Sequence, residues 1–541
     1  MAIEEQTENA MRIYPMGVNR NSKEQILAMI PEDQREEARA LLRTPEENAV
    51  IFAKISRKSA SFDEIASGVD EEGASKFHQK WTVSDLGYGH KSVGEHAIIQ
   101  MAVENVASID GDEITDNRLG SYTEFSARFK GRQTTTWFTP ESVRENPELF
   151  DLWTKTHQRL FAACDEATNR ATTWVNTPEA KEAFPQLRQG YYNPNETPGA
   201  HRSRIFKHGC DAFKDMMPVS RLTSMGVTWN ATEAEHAITK LLSSPSQSTR
   251  EVGGKMKEAA LEVAPTLVKY ADFNPYLASI DTRRDNVVDA FQLEGKLTID
   301  PESDIKTRII KNSNPENLIL AAFAYESSRT GDYGSLVEKI SNLSDKGRKM
   351  MLEMILTDQV TWFDFAGTTT SNGISTHVLP PRAFEFDGGN VYEMRNMNYG
   401  PWREFKRHRM QTYAAKPLDI KWGYLIPPLA DVLDKSEDEQ FHGTIELVKN
   451  AISEMEELFR AVREVDPVDA RYAVTRLHYR PAISRMNMRE MFHYLPLRAR
   501  DSALPFIRRL VWPTDDVLSE TNPNIARHIK LKGERLPIWF P

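Results

Sequence analysis

At 541 residues, with 40% hydrophobic and 27% charged side chains, the chain is too long for one ordinary domain and too apolar to be disordered. Its 68 Lys and Arg against 78 Asp and Glu leave a net charge of −10, which excludes a general attraction to nucleic acid or anionic membrane, so any anion site must be local. The start, Met1-Ala2-Ile3-Glu4-Glu5, lacks the basic-then-apolar pattern of a signal peptide and no apolar run is long enough to span a bilayer, so a cytoplasmic protein is expected. Two cysteines, Cys164 and Cys210, exclude a disulfide framework and a cysteine-only metal site, and both are expected to be small buried residues.

Residues 1–60 read as an N-terminal helical arm: Ser22 and Gln25 form a capping box, and an apolar stripe of Ile26, Met29 and Ile30 precedes Pro31. From 61 to 275 a mixed region, with a glycine-punctuated stretch ending at His90, gives way to helical patterning at 145–182 and 231–272. A turn-rich segment, 191–199, separates those helices and reads as an insertion loop. Residues 276–310 read as a linker, 311–515 again as a mixed region followed by helices, and 516–541 as a polar tail. The order mixed, helical, mixed, helical suggests an internal duplication.

Chemistry concentrates in a few places. Arg403, Lys406, Arg407, His408 and Arg409 put five basic side chains within seven positions of an acidic chain, a density that asks for an anion. From Arg471 to Arg509 there are nine Arg, no Lys and two acids, Glu490 and Asp501, and planar guanidinium forks suit phosphate or carboxylate. A third segment, Arg118 and then Ser121 to Arg128, gathers hydroxyls, an acid and guanidinium groups. His90 and His96 are six residues apart, wrong for a helical zinc pair, and the glycines near Gly87 do not fit a dinucleotide loop, so neither a metal nor a Rossmann fold is expected.

Together these pieces resemble the flavin-dependent thymidylate synthases, with the family pattern present twice and incomplete each time. In the first copy His90, Ser92, Glu95 and His96 match the opening segment, and Arg118, Ser121, Glu124, Ser126 and Arg128 match the later signature, while Asp116 and Asn117 replace its first Arg and His. Lys214 stands for the Arg of an Ala-Arg pair; Asn230 and His236 match the helical part, whose two Arg are replaced by Thr232 and Leu241. In the second copy Glu385 alone matches the opening segment. Arg407-His408-Arg409 and Thr412 match the core, Ala415, Pro417 and Asp419 replace the loop, and Ala470-Arg471, Asn487, Arg489, His493 and Arg498 match the helical part. Arg118 and Asn230 are 112 residues apart, Arg409 and Asn487 only 78, and the excess of 34 fits an insertion in the turn-rich stretch ending near His208.

The resemblance implies an α+β fold, two tandem copies of a mixed sheet-plus-helices domain packed as a pseudo-dimer. The first copy keeps the substrate loop and the second the cations, so the surviving site would be composite. Glu124, Ser126, Arg128, Arg471 and Arg498 would bind dUMP, with Ser126 and Arg498 closest to the chemistry. His90, Ser92, Arg118, Arg407, His408, Arg409, Asn487 and His493 would hold FAD. The implied reaction is methylation of dUMP to dTMP with methylenetetrahydrofolate and NADPH, and the chain would self-associate into a tetramer-like dimer. Hydroxymethylation of a pyrimidine nucleotide and an inert nucleotide-binding scaffold are the alternatives.

Overall fold

The computed structural model describes residues 10–17, 20–55, 58, 60–81, 91–125, 136–191, 193–279, 281–282, 307–311, 314–327, 333–356, 389–500, 503, 505–529, 531 and 535. His90, Ser126, Arg128 and Glu385 lie outside these residues. None of the described helices is long and apolar enough to cross a membrane.

The first half builds a four-stranded antiparallel sheet from β1 (Arg12–Met16), β2 (Ile98–Ala107), β3 (Ser121–Glu124) and β4 (Leu222–Asn230), in the order β1-β2-β4-β3. The second half repeats that order with β5 (Thr307–Lys311), β6 (Asn390–Met394), β7 (Thr412–Ala415) and β8 (Ala482–Met486), as β5-β6-β8-β7. Even the register recurs: Ser121 faces Thr228 in the first sheet and Thr412 faces Arg485 in the second. Ile99, Met101 and Val103 point from alternate positions of β2 into the core, and the strand then breaks register between Val103 and Val106. Asn105 takes up that break at φ +58°, a left-handed conformation Asn tolerates better than most side chains.

Local signals explain the helices. In the first half these include α1 (Ser108–Thr115), α2 (Pro147–Trp174), α3 (Ala231–Leu242) and α4 (Gln247–Val263). The second half has α5 (Tyr399–Phe405), α6 (Thr444–Val465), α7 (Met488–Arg498) and α8 (Pro505–Thr521). Asn230 leaves β4 and caps α3 by accepting from Glu233 N at 2.8 Å; Asn487 leaves β8 and caps α7 by accepting from Glu490 N at 2.8 Å.

Several sequence expectations shift. The arm contains β1, a full partner of β2, because Arg12–Met16 alternates in burial as an edge strand does. Ser22 lies inside the helix Arg20–Met29; a capping box forms instead at Ser61 and Glu64, where an acid stands at the third helical position. β5 falls in the expected linker, and α8 runs through the expected boundary at 515, since its buried Leu510, Val511 and Leu518 belong to the core. Cys164 is buried and Cys210 half-buried. The 34-residue excess maps between α2 and Lys214, where helices Pro178–Ala183 and Pro198–Phe213 flank the turn-rich loop.

One apolar core covers the sheet, α3 and α4 of the first half; a larger one joins α2 to the second half, so the halves share a core. The long helices α2 and α6 pack on each other. Between the halves Val219 N donates to Val474 O at 2.9 Å and Arg476 N donates to Met217 O at 3.0 Å, flanking a bridge between Pro218 and Thr475. These contacts are reciprocal: Pro218 meets its counterpart Thr475, Val219 meets the counterpart of Met217, and Arg476, the counterpart of Val219, meets Met217.

Candidate functional site

The basic run of the second copy lies on the first copy. From α5 and the turn after it, Arg403 donates through Nε to Asp112 Oδ1 at 2.9 Å and through Nη2 to Glu124 Oε1 at 3.2 Å. Arg407 also donates to the Glu124 carboxylate, Tyr399 OH donates to Asp112, and Lys406 Nζ donates to Asp112 O at 2.6 Å. Glu124 reaches this group because β3 ends there, with its side chain 9% exposed, whereas Arg407 remains 38% exposed. Burial alone would raise the Asp112 carboxyl; Lys406 and Arg403 overcome it and hold the group well below the usual carboxylate range.

Beside this group, Arg498 at the end of α7 donates to Glu404 Oε2 at 2.6 Å and to His408 Nε2 at 3.0 Å. Burial opposes ionisation of Glu404, but Arg498, Arg407, Lys214 and Arg403 together lower its pKa; Lys214 itself pairs with the buried Asp211 at 2.9 Å. His408 Nδ1 lies 2.9 Å from Glu490 Oε1, and His493 Nδ1 lies 3.4 Å from the same oxygen. Arg409 donates to Gly120 O at 2.8 Å and Arg118 to Thr412 Oγ1 at 3.1 Å, so two exposed guanidinium groups meet where β3 and β7 begin.

The structure therefore brings together Glu124, Arg407, His408, Arg498 and His493, with Arg118 and Arg409 at the start of β3 and β7. Asn487 serves as the α7 cap. Ser92 is exposed on the turn Lys91–His96, which is held to α3 by Thr232 Oγ1 donating to Lys91 O at 2.7 Å. Arg471 sits elsewhere, donating to Thr249 Oγ1 at 3.1 Å and lying 3.9 Å from Asp110 and 3.7 Å from Glu113. Asp110 itself accepts from Ser248, Thr249 and Tyr472 at 2.7, 2.7 and 2.8 Å, a closed network between the halves.

Sequence reasoning passed over Asp112, Glu404 and Glu490, and took Lys214 only as a degenerate Arg. A signal existed: aligning Asp116-Asn117-Arg118 with Arg407-His408-Arg409 and extending it backwards sets Asp112 against Arg403, so an acidic run and a basic run occupy matching positions.

The family model described as thymidylate synthase complementing protein matches residues 20–266 and 390–524. The UPF0159 protein Ta1429 of Thermoplasma acidophilum is 22% identical over 467 residues, 82% of this chain and 87% of its own length. The flavin-dependent thymidylate synthase of Thermococcus onnurineus is 32% identical over 105 residues, 19% of this chain and 42% of that enzyme. That of Pyrococcus abyssi is 26% identical over 197 residues, 35% of this chain and 66% of that enzyme. Among solved structures, the UMP/dUMP methylase PolB from Streptomyces cacaoi bound with 5-Br dUMP superposes with a TM-score of 0.31 at 13% identity, covering 42% of this chain and 96% of that one. Because the family match takes in more than half of the chain, with one segment in each half, the chain belongs to the thymidylate synthase complementing protein family.

Proposed function

We propose that this chain is a tandem, fused flavin-dependent thymidylate synthase, its halves packed as a pseudo-dimer, that methylates dUMP to dTMP with methylenetetrahydrofolate and NADPH at a composite site between them. The observation that carries the reading is the meeting of Glu124, from the copy that keeps the substrate loop, with Arg403 and Arg407, from the copy that keeps the cations. Family membership and the partial identity to flavin-dependent thymidylate synthases supply the reaction class. The reciprocal backbone bonds at Pro218 and Thr475 support the pseudo-dimer.

In this reading Arg407 and Arg498 meet the anionic nucleotide, and Lys214 takes the place that the resemblance gave to Arg471. Arginines already held by buried carboxylates need little reorganisation when charge develops on the pyrimidine, and that preorganisation is their catalytic contribution. Ser126 and Arg128 follow Glu124 in the chain, and in this reading they bind the nucleotide with it. The donor set suits a flavin dinucleotide: Arg118 and Arg409 are exposed guanidinium groups beside the exposed Leu119 and Met410, fit for a diphosphate next to an apolar surface. When bound, FAD supplies the hydride chemistry, while the protein supplies position and charge. Two chains associate into the tetramer-like dimer.

The test is the visible spectrum of the purified protein with added FAD, before and after dUMP. A flavin spectrum perturbed by dUMP, saturating at one dUMP per chain, supports the composite site. A protein that neither retains flavin nor can be reconstituted with it overturns the enzymatic reading.

A further inference from the structure

Arg498 is gripped on three sides. Nη1 donates to Glu404 Oε2 at 2.6 Å, Nη2 to Glu404 O at 3.1 Å and Nε to His408 Nε2 at 3.0 Å. An arginine N–H is only ever a donor, so His408 Nε2 must accept, and the proton of a neutral ring must sit on Nδ1. Nδ1 then donates to Glu490 Oε1 at 2.9 Å. His408 and Glu490 are 2% and 5% exposed, so water does not compete for either bond. Burial pushes the His408 pKa down to about 4. Burial opposes ionisation of Glu490, yet its bonds to His408 and His493 bring it down to about 2. At neutral pH an uncharged ring therefore links a carboxylate to a permanent cation, and every bond in the chain has one direction.

The first copy provides an internal comparison. There Glu233 stands for Glu490, but Asn117 replaces His408 and Leu241 replaces Arg498. Glu233 accepts from Leu119 N at 3.4 Å, and Asn117 turns to Ile114 O at 2.9 Å. Both helix caps are made by asparagines, so capping does not explain the glutamate, and it reaches a histidine only in the copy that has the arginine. The ligand atoms of His408, Glu490 and His493 also lie within 4.8 Å of one another, a composition that metals use. A His408 ligating through Nδ1 would carry its proton on Nε2, facing the Nε–H of Arg498, so the hydrogen bonds favour a relay over a cation.

We infer that Glu490, acting through His408, is a positioning residue that fixes the rotation of Arg498 so that its two remaining N–H donors are set for an anionic substrate. The inference rests on the dUMP reading of the composite site. Glu490→Gln removes the directionality: the amide can donate to Nδ1, the ring proton moves to Nε2, and it then opposes Arg498.

The experiment combines dUMP titration of the FAD-loaded protein with ¹⁵N NMR of histidine-labelled wild type, Glu490→Gln and Glu233→Gln. The expected result is a His408 Nδ1–H tautomer in wild type, a changed tautomer in Glu490→Gln, and dUMP affinity lower there by on the order of tenfold or more, as for loss of a charge-assisted bond. Glu233→Gln, which loses the matching glutamate, should bind dUMP as wild type does. Wild-type affinity in Glu490→Gln overturns the inference. Should that variant not fold, an Nε2–H tautomer in wild type overturns it and an Nδ1–H tautomer sustains it. Wild type that binds no dUMP defeats the functional reading alone, since the tautomer still decides the relay.

Discussion

Replacing Asp112 by Ala removes the anion at the centre of the contact between the halves. The carboxylate, 6% exposed, takes Arg403 Nε at 2.9 Å, accepts from Tyr399 and lies 3.5 Å from Lys406 Nζ. Breaking a buried pair from one side costs about 3–5 kcal/mol, because the stranded charge stays desolvated. Two features pull this case to the lower end: Arg403 keeps Glu124 at 3.2 Å, and Lys406 keeps the Asp112 carbonyl at 2.6 Å, which survives the substitution. We expect Asp112→Ala to destabilise by about 3 kcal/mol, and Asp112→Asn, which keeps an acceptor, by about half that. Urea denaturation followed by tryptophan fluorescence gives the number, provided the slope is unchanged so that the same transition is compared. A loss under about 0.5 kcal/mol for Asp112→Ala, the range of an ordinary surface substitution, would refute the claim that this ion pair locks the halves.

Other consequences are equally direct. Burial pushes His157 down to about 3, so the folded ring stays neutral while the unfolded one takes a proton below about pH 6.5. Stability should therefore fall as pH drops from 6.5 towards 3, by about 2 kcal/mol between pH 6.5 and 5 from this group, and His157→Leu should flatten that part of a Tm-against-pH curve. A Cβ on Gly400 would run into the carboxylate of the buried Asp215, so Gly400→Ala should cost about 2–3 kcal/mol or more in thermal unfolding. Lys214→Ala should weaken dUMP binding by on the order of tenfold while Arg471→Ala leaves it within about twofold but lowers Tm; isothermal titration of the two, giving the reverse order, would return Arg471 to the site.

Much of the scaffold was legible because duplication writes itself twice. The matching anchors Asn230 and Asn487, the swap of Asp116-Asn117 for Arg407-His408 and the 34-residue excess all located equivalent positions before any geometry was known. Less legible was anything set by pairing across distance. β1 is five residues long, and only its register with β2, far along the chain, makes it part of the sheet. Arg471 and Arg498 look alike in sequence, both in an arginine-rich run with few acids; what separates them is Asp110 and Glu113 on one side, Glu404 and His408 on the other. Glu490 is one of the two acids in that run, and its place in a helix says nothing of the buried imidazole opposite.

The two matching surfaces between the halves have diverged by charge, and the divergence is physically coherent. On one, Arg403 and Arg407 face Glu124, Arg498 holds Glu404, and Arg407 remains exposed. On the other, the matching positions are Asp112, Asp116 and Leu241; Lys240 lies 3.5 Å from Asp116, and Arg471 lies against Asp110 and Glu113. There Asp110 is 0% exposed and receives three hydroxyl donors, so the carboxylate is closed off with its acceptors satisfied. In a dimer of identical chains both surfaces must carry the same residues, and an acidic run that completes one would impair the other. Fusion removes that constraint, so Asp112 can neutralise Arg403 at the join while Arg407 stays exposed for the proposed site.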